Sequence, residues 1–219
     1  MKLLRPILSW LITLLIPVAL TFLGLRLLLS NAFLEIEYRL PGFPEDTYGF
    51  TLEDRLQWSK IALEYLLNDA ELLYLGGLTF PDGSPLYNQR ELRHMLDVKN
   101  LLRTIMWTGY GVWLAVLGLG LWAQWGDWWL DYLRGLRLGG WLTGGLVVAI
   151  AAFAVLSFLQ FFTLFHTLFF EGDSWLFLYS DTLIRLFPVR FWQDVFIVVG
   201  VVAVGSGLAL GLGLKPKKG

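Results

Sequence analysis

NQRELRHMLDVKNLLRTIMWTGYGVWLAVLGLGLW (Asn88–Trp122) starts as a charged segment and ends as an apolar one. Asn88 with Glu91 three residues later is a helix-capping pattern, so the spacing predicts one helix that begins at Asn88 and runs on into a membrane-length apolar span. On that helix Arg90, Glu91, Asp97 and Val98 are the i−4, i−3, i+3 and i+4 neighbours of His94. One of the chain's two histidines is thereby set among charges, about 6 Å before the apolar edge at ~1.5 Å per residue.

Working outward, three further segments are apolar over the ~20 residues that a bilayer crossing needs. The four are Ile7–Leu29, Val98–Trp122, Trp141–Phe165 and Trp192–Leu214. A mean hydropathy of +0.60 over 219 residues agrees with a membrane protein. The first span follows Lys2 and Arg5 but is longer than a signal-peptide core and lacks a small-residue cleavage site, so it reads as a retained anchor. The fold class expected is an all-α membrane protein, with four transmembrane helices and a small, mostly helical extracytoplasmic domain between helices 1 and 2.

The expected order is residues 1–30 for the N-terminus and first span, 31–97 for the domain, 98–124 for the second span and 125–140 for a loop. Residues 141–165 then form the third span, 166–191 an interfacial segment, and 192–219 the fourth span with a basic tail. Lys2, Arg5, Arg134, Arg137, Lys215, Lys217 and Lys218 fall on one side of this arrangement. The positive-inside rule therefore places both termini in the cytoplasm. Trp125, Trp128, Trp129 and Tyr132 would form an inner interfacial belt, and Gly109, Gly111, Gly118, Gly144, Gly145, Gly200 and Gly205 helix contacts.

Within 31–97, Thr51 and Asp54 form a second capping pattern, opening an amphipathic helix on which Leu52, Leu56, Leu63, Leu66 and Leu67 recur. Phe80–Pro85 reads as a turn or hairpin. The segment is too short for a substantial core, so this helix is expected to pack on the membrane face of the bundle. Ser180–Phe187 reads as a short interfacial helix.

The composition excludes several chemistries. There is no cysteine, hence no thiolate nucleophile or sulfur-ligated metal, and a net charge of −1 gives no basic field for nucleic acid. No nucleophile elbow, zincin motif or phosphate loop occurs, and no paired-ligand spacing points to a metal. Transport is disfavoured because the spans carry almost no polar residue beyond Thr143 and Ser157.

What is left is proton transfer. His166, at the far end of the third span, falls by this topology at the same outer level as His94. Two imidazoles can serve as base and acid, or as base and oxyanion donor. Asp97, one turn from His94, is expected to orient that ring as the third member of a triad does, with His94 as base; the two histidines' roles are exchangeable. Arg90, Arg93, Arg185 and Arg190 offer cations to phosphate or carbonyl oxygens. Glu91 and Trp175 complete the set expected to meet substrate. The alternative is a non-catalytic membrane scaffold or partner-binding protein, in which both histidines are dispensable.

PGFPEDTYGFT (Pro41–Thr51), DRL (Asp54–Leu56), NQRELRHMLDVK (Asn88–Lys99), FHTLFFEGDSW (Phe165–Trp175) and DTLIRLFP (Asp181–Pro188) together resemble one bacterial family. It is the integral membrane lipoprotein intramolecular transacylases. The resemblance implies a multi-pass enzyme of the bacterial cytoplasmic membrane, working at the outer leaflet in contact with phospholipid. It further implies substrates that are diacylglyceryl-modified lipoproteins, whose sn-2 acyl chain moves to the cysteine α-amino group to leave an N-acyl, S-monoacylglyceryl form. The family's functional histidines fall on His94 and His166. No cofactor or metal is implied.

Overall fold

The computed structural model describes residues 4–214. Lys2, Lys215, Lys217 and Lys218, on which part of the orientation argument rests, lie outside them. The described residues form nine helices: α1 (Leu4–Leu28), α2 (Asn31–Glu37), α3 (Leu52–Leu67), α4 (Leu73–Gly76), α5 (Gln89–Trp125), α6 (Trp129–Leu156), α7 (Phe158–Phe169), α8 (Thr182–Leu186) and α9 (Val189–Gly213). Extended pairing among them is limited to one isolated antiparallel bridge, Thr79 with Pro85, where a turn or hairpin was expected. Four helices, α1, α5, α6 and α9, are long and apolar enough to cross a membrane. The protein is an all-helical, multi-pass membrane protein.

The chain divides into two compact units. The first takes in Met1–Arg26, Ile105–Ser157 and Ile197–Gly219. Ile12, Ile16, Leu20, Val116, Ala123, Trp128, Tyr132 and Ala203 form its core, while Trp107, Leu114 and Val201 keep large apolar surfaces uncovered. Such surfaces suit lipid and not water. Buried hydroxyls bond to backbone inside the unit, as hydrocarbon surroundings favour: Thr13 Oγ1 donates to Ser9 O at 2.9 Å and Tyr132 OH to Val116 O at 3.1 Å.

Three expectations are corrected in this unit. The loop expected at 125–140 is mostly helix, because α5 stops in a tight turn and α6 starts at once. Asp127 takes the left-handed conformation (φ 55°) and Trp128 N–H donates to Ala123 O at 3.3 Å, a Schellman-type stop. Trp128 and Tyr132 are buried, packed edge-on against each other, and so do not form an interfacial belt. Of the glycines expected at helix contacts, Gly111, Gly118, Gly144, Gly145 and Gly205 face open space. Gly109 does lie at a contact, against the Phe22 ring, as does Gly200 against Val147, and a further close approach joins Gly140 and Gly207, where either added Cβ would strike the other's carbonyl oxygen.

The expected third span also differs. Trp141–Phe165 is not one helix: α6 ends at Leu156, Ser157 is extended (φ −158°, ψ 97°), and α7 starts afresh at Phe158.

The second unit takes in Leu27–Thr104 and Phe158–Phe196. As expected from their length, residues 31–97 do not build its core alone, but they do share one. The core exists because the 158–196 segment contributes to it. Tyr65, Leu75, Leu86, Tyr87 and Met95 pack with Leu183 and Leu186, and Leu34, Tyr38, Leu56 and Leu63 with Phe191. α3 opens with the expected capping box, Thr51 Oγ1 accepting from Asp54 N at 3.1 Å and Asp54 Oδ2 from Thr51 N at 2.9 Å. It packs against α2, α4 and α8, and its Tyr65 and Leu63 also join clusters with Met95 of α5 and Phe191 of α9. Leu67 of its expected apolar stripe is exposed. α8 forms where a short helix was expected and buries Thr182, Leu183 and Leu186 within the unit, with Tyr38 OH donating to Leu186 O at 2.9 Å.

Candidate active site

α5 starts as its sequence predicts. Asn88 Oδ1 accepts from Glu91 N at 3.0 Å while Glu91 Oε2 accepts from Asn88 N at 2.7 Å, a reciprocal cap that fixes the first turn. One turn further His94 is buried. His166 lies near the end of α7 and is buried to the same degree. Their ring centroids are 6.0 Å apart and the rings are 25° from parallel. Both histidines belong to the second unit, so a single compact body holds the pair.

Aromatic rings wall them in. Phe170 lies 4.9 Å from His94 and 5.5 Å from His166, Phe177 5.3 Å from His94, Trp175 5.0 Å and Phe162 4.1 Å from His166. Phe162 and Phe170 are the i−4 and i+4 neighbours of His166, a spacing legible in FFTLFHTLFF. Phe177 follows a loop, and no local pattern announces it. Gly172, at φ 69°, supplies the left-handed turn that brings this loop back after α7.

The two imidazoles differ in their bonds. His166 Nδ1 lies 2.8 Å from Phe162 O. A carbonyl can only accept, so Nδ1 carries the hydrogen and, in the neutral ring, the lone pair is on Nε2. His94 Nδ1 is buried without a hydrogen-bond partner.

The carboxylate expected to orient His94 does something else. Asp97 Oδ2 accepts from Ser174 Oγ at 3.3 Å, and no hydrogen bond joins it to His94. Helix geometry explains this, since an i+3 carboxylate on α5 stands beside the imidazole and points at the loop packed over it. Arg90 does the same from the other side, its Nη1 donating to Leu176 O at 2.8 Å. Asp97 and Arg90 thus clamp the loop on either side of Trp175. Ser174, buried beside Trp175, was not among the residues expected at the site, and only this contact with Asp97 draws it in.

The remaining expected binding residues separate. Arg93 is exposed and makes no hydrogen bond among the described residues, which leaves its guanidinium available. Glu91 is committed to structure: its Oε1 accepts from Leu183 N at 2.7 Å, so both oxygens are engaged and α8 is tied to α5. Arg185 is likewise committed, donating to both oxygens of Asp46 with its Nη2 2.9 Å from Oδ2, and lying 3.5 Å over the Phe50 ring. Burial would raise the Asp46 pKa, but the Arg185 bonds and the Phe50 N–H hold it below the usual value. Arg190 pairs with Asp194 one turn along α9. Neither Arg185 nor Arg190 contacts the histidine pair. Among the described residues no three His, Asp or Glu side chains gather as a metal centre would require.

The arrangement is an aromatic-walled pair of imidazoles, one held in a defined tautomer, suited to moving a proton beside an apolar acyl chain. The model of the lipoprotein intramolecular transacylase Lit matches residues 7–192. An uncharacterized protein of Aquifex aeolicus (strain VF5) is 29% identical over 218 residues, covering 98% of this chain and 96% of that protein. The in meso structure of the membrane-integral transacylase Lit from Bacillus cereus superposes with a TM-score of 0.80 at 19% identity, over 96% of this chain and 94% of that one. A histidine-to-alanine variant of the same Bacillus protein matches with a TM-score of 0.74 at 18% identity, over 95% and 91% of the two chains. On the match over most of its length, this chain belongs to the lipoprotein intramolecular transacylase (Lit) family.

Proposed function

We propose that this transacylase moves the sn-2 acyl chain of a diacylglyceryl-modified lipoprotein onto the α-amine of its N-terminal cysteine, with His166 as base and His94 as acid and oxyanion donor. The observation that carries the assignment is the His166 Nδ1–H bond to Phe162 O, which reserves Nε2 as a proton acceptor. This exchanges the roles first given to the two histidines. In this reading the histidine pair works at the outer leaflet of the cytoplasmic membrane, with both termini in the cytoplasm.

The chemistry balances without a co-reactant. The α-amine (pKa about 8) enters as the neutral nucleophile, and His166 Nε2 takes a proton from its nitrogen as that nitrogen attacks the ester carbonyl. The C–N bond forms, the tetrahedral oxyanion accepts a hydrogen bond from His94, and the C–O bond to the glyceryl sn-2 oxygen breaks. That alkoxide receives the proton that His166 took from the nitrogen, relayed directly or through His94, so ester and neutral amine become amide and alcohol with no net proton change. Two hydrogen bonds of about 2.8 Å to the same tetrahedral centre span a ring separation of this size. Amine and ester belong to one substrate molecule, so the enzyme's task is largely to hold them in contact. The Phe170, Trp175 and Phe177 walls exclude the water that would otherwise hydrolyse the ester. Arg93 is available to the polar part of the substrate.

The test is lipoprotein N-terminal structure by mass spectrometry after expression of H94A and H166A in cells lacking other N-acylating activity. Each is expected to lower lyso-form production by about 10²-fold or more, with unchanged thermal stability in detergent. Undiminished lyso-form from either variant overturns the two-histidine mechanism.

A further inference from the structure

A cavity of about 300 Å³ opens in the second unit, lined by Arg55, Arg185, Asp46, Tyr48, Tyr179 and Val189 among others. Two arginines and two carboxylates line it, yet only Arg185 and Asp46 are joined as an ion pair. Arg185 donates to both Asp46 oxygens, and the Phe50 N–H donates to one of them as well. Arg55, only 7% exposed, has no carboxylate within ion-pair distance among the described residues. Its one hydrogen bond runs from Nη1 to Pro44 O at 2.6 Å, and its Nε is buried without a partner.

A guanidinium stays charged in proteins, and a buried charge is costly unless paired. Burial pushes the Arg55 pKa down, with Asp46 opposing only through space. The cavity wall also includes Val189, the first residue of the 25-residue helix α9, whose N-terminal amides and dipole favour an anion. Of the two lining acids, Asp46 is held by Arg185 and Glu45 stands on the exposed rim.

We propose that this cavity is a phosphate site, filled by the headgroup of a membrane phospholipid. An unpaired planar fork matches phosphate oxygens in geometry. The volume suits a headgroup fragment better than a whole lipid. α9 is a membrane-length apolar helix that starts at the cavity, so the cavity stands where a span meets the headgroup layer. The site is separate from the histidine pair and does not depend on the reaction assigned to it.

The experiment uses the full-length protein in uncharged detergent, with thermal unfolding followed against two probes at matched ionic strength in chloride. These are inorganic phosphate and a short-chain phosphatidylglycerol below its micelle concentration. The wild type is expected to be stabilised saturably. A tenfold or lower half-saturation for the lipid than for phosphate identifies the headgroup as the source; equal values keep the site and assign it to free phosphate. R55Q is expected to need at least tenfold more of either probe. Y179E, a change at an exposed rim position that puts an anion at the cavity mouth, is expected to do the same and decides the matter if R55Q does not fold. Absence of saturable stabilisation in the wild type, or wild-type half-saturation in Y179E, overturns the proposal.

Discussion

Replacing Asp97 by asparagine separates two accounts of the residue by the size of the effect. If Asp97 oriented a catalytic imidazole, as a triad aspartate does, an asparagine there would trap the wrong tautomer and cost about 10⁴-fold in rate. The structure gives it a single hydrogen bond, 3.3 Å long, from Ser174 Oγ. Such a bond is worth about 0.5–1.5 kcal/mol. Loss of that bond is a factor of ~2–10 in the population of a correctly docked loop, or in a rate that depends on it. Asparagine retains a side-chain oxygen that accepts from Ser174, so D97N is expected to fall by less than threefold. D97A and S174A, which delete the bond from either end, should each fall within the ~2–10 range. D97A/S174A is expected to be no worse than the worse single variant, since both remove the same interaction. The assay is the time course of lyso-lipoprotein formation by reconstituted enzyme, read by mass spectrometry of the N-terminal peptide. A 10³-fold or greater loss in D97N alongside near-normal S174A would refute the loop-clamp reasoning and restore the orienting role.

Other outcomes follow from the same geometry. Glu91→Ala leaves the Asn88 and Leu183 amides without their acceptor and is expected to destabilise by about 3–5 kcal/mol, with E91Q intermediate, measured by thermal or chemical unfolding in detergent. A change below ~0.5 kcal/mol would mean α8 is held by its apolar contacts alone. Burial first, then the neighbouring Asp194 carboxylate, raise the Glu37 pKa to about 7, against the smaller pull of Arg190. The folded state therefore keeps a proton that the unfolded state releases near pH 4.3, so Glu37 makes stability fall between about pH 4.3 and pH 7. E37Q should abolish that decline and gain on the wild type as pH rises through this window; parallel wild-type and E37Q profiles would show that the carboxyl titrates normally. W175A removes the ring 5.0 Å from His166 and is expected to cut lyso-form production about tenfold, with free fatty acid from ester hydrolysis rising as water enters. W175F should lie between, and a W175A enzyme with wild-type output and no hydrolysis would count against a water-excluding wall.

Much of this was legible in the sequence because the signals were local and periodic. Asn88–Glu91 and Thr51–Asp54 each specify a helix start through three-residue spacing, and both caps form as written. The uncharged runs specify spans because nothing else in a chain this size can bury them. The pairing of His94 with His166 followed once both were counted to one level. What escaped were facts about the reach of side chains and about interruptions. Hydropathy averages over a window, so the extended Ser157 within an apolar run left no trace, and α6 and α7 were read as one span. An arginine looks the same in sequence whether its fork is taken or free; Arg185 turned out to be bound to Asp46, 139 residues away. Asp97 failed for a related reason. Spacing places a carboxylate on the same helix face as a histidine but does not say which third segment lies over that face.

The clamp on α5 has a consequence for sequence length. Arg90, His94 and Asp97 share one arc of the helix, within about 60° at 100° per residue. Their cooperation is therefore a matter of phase as well as of identity. A single alanine inserted between Arg90 and His94 keeps every side chain and adds only about 1.5 Å of helix, yet it turns Arg90 by about 100° off the arc. A four-residue insertion restores the angle to within ~40° while adding a whole turn. Natural relatives that vary in length before α5 are thus expected to accommodate the change ahead of Asn88, leaving the eight-residue frame from Arg90 to Asp97 uninterrupted.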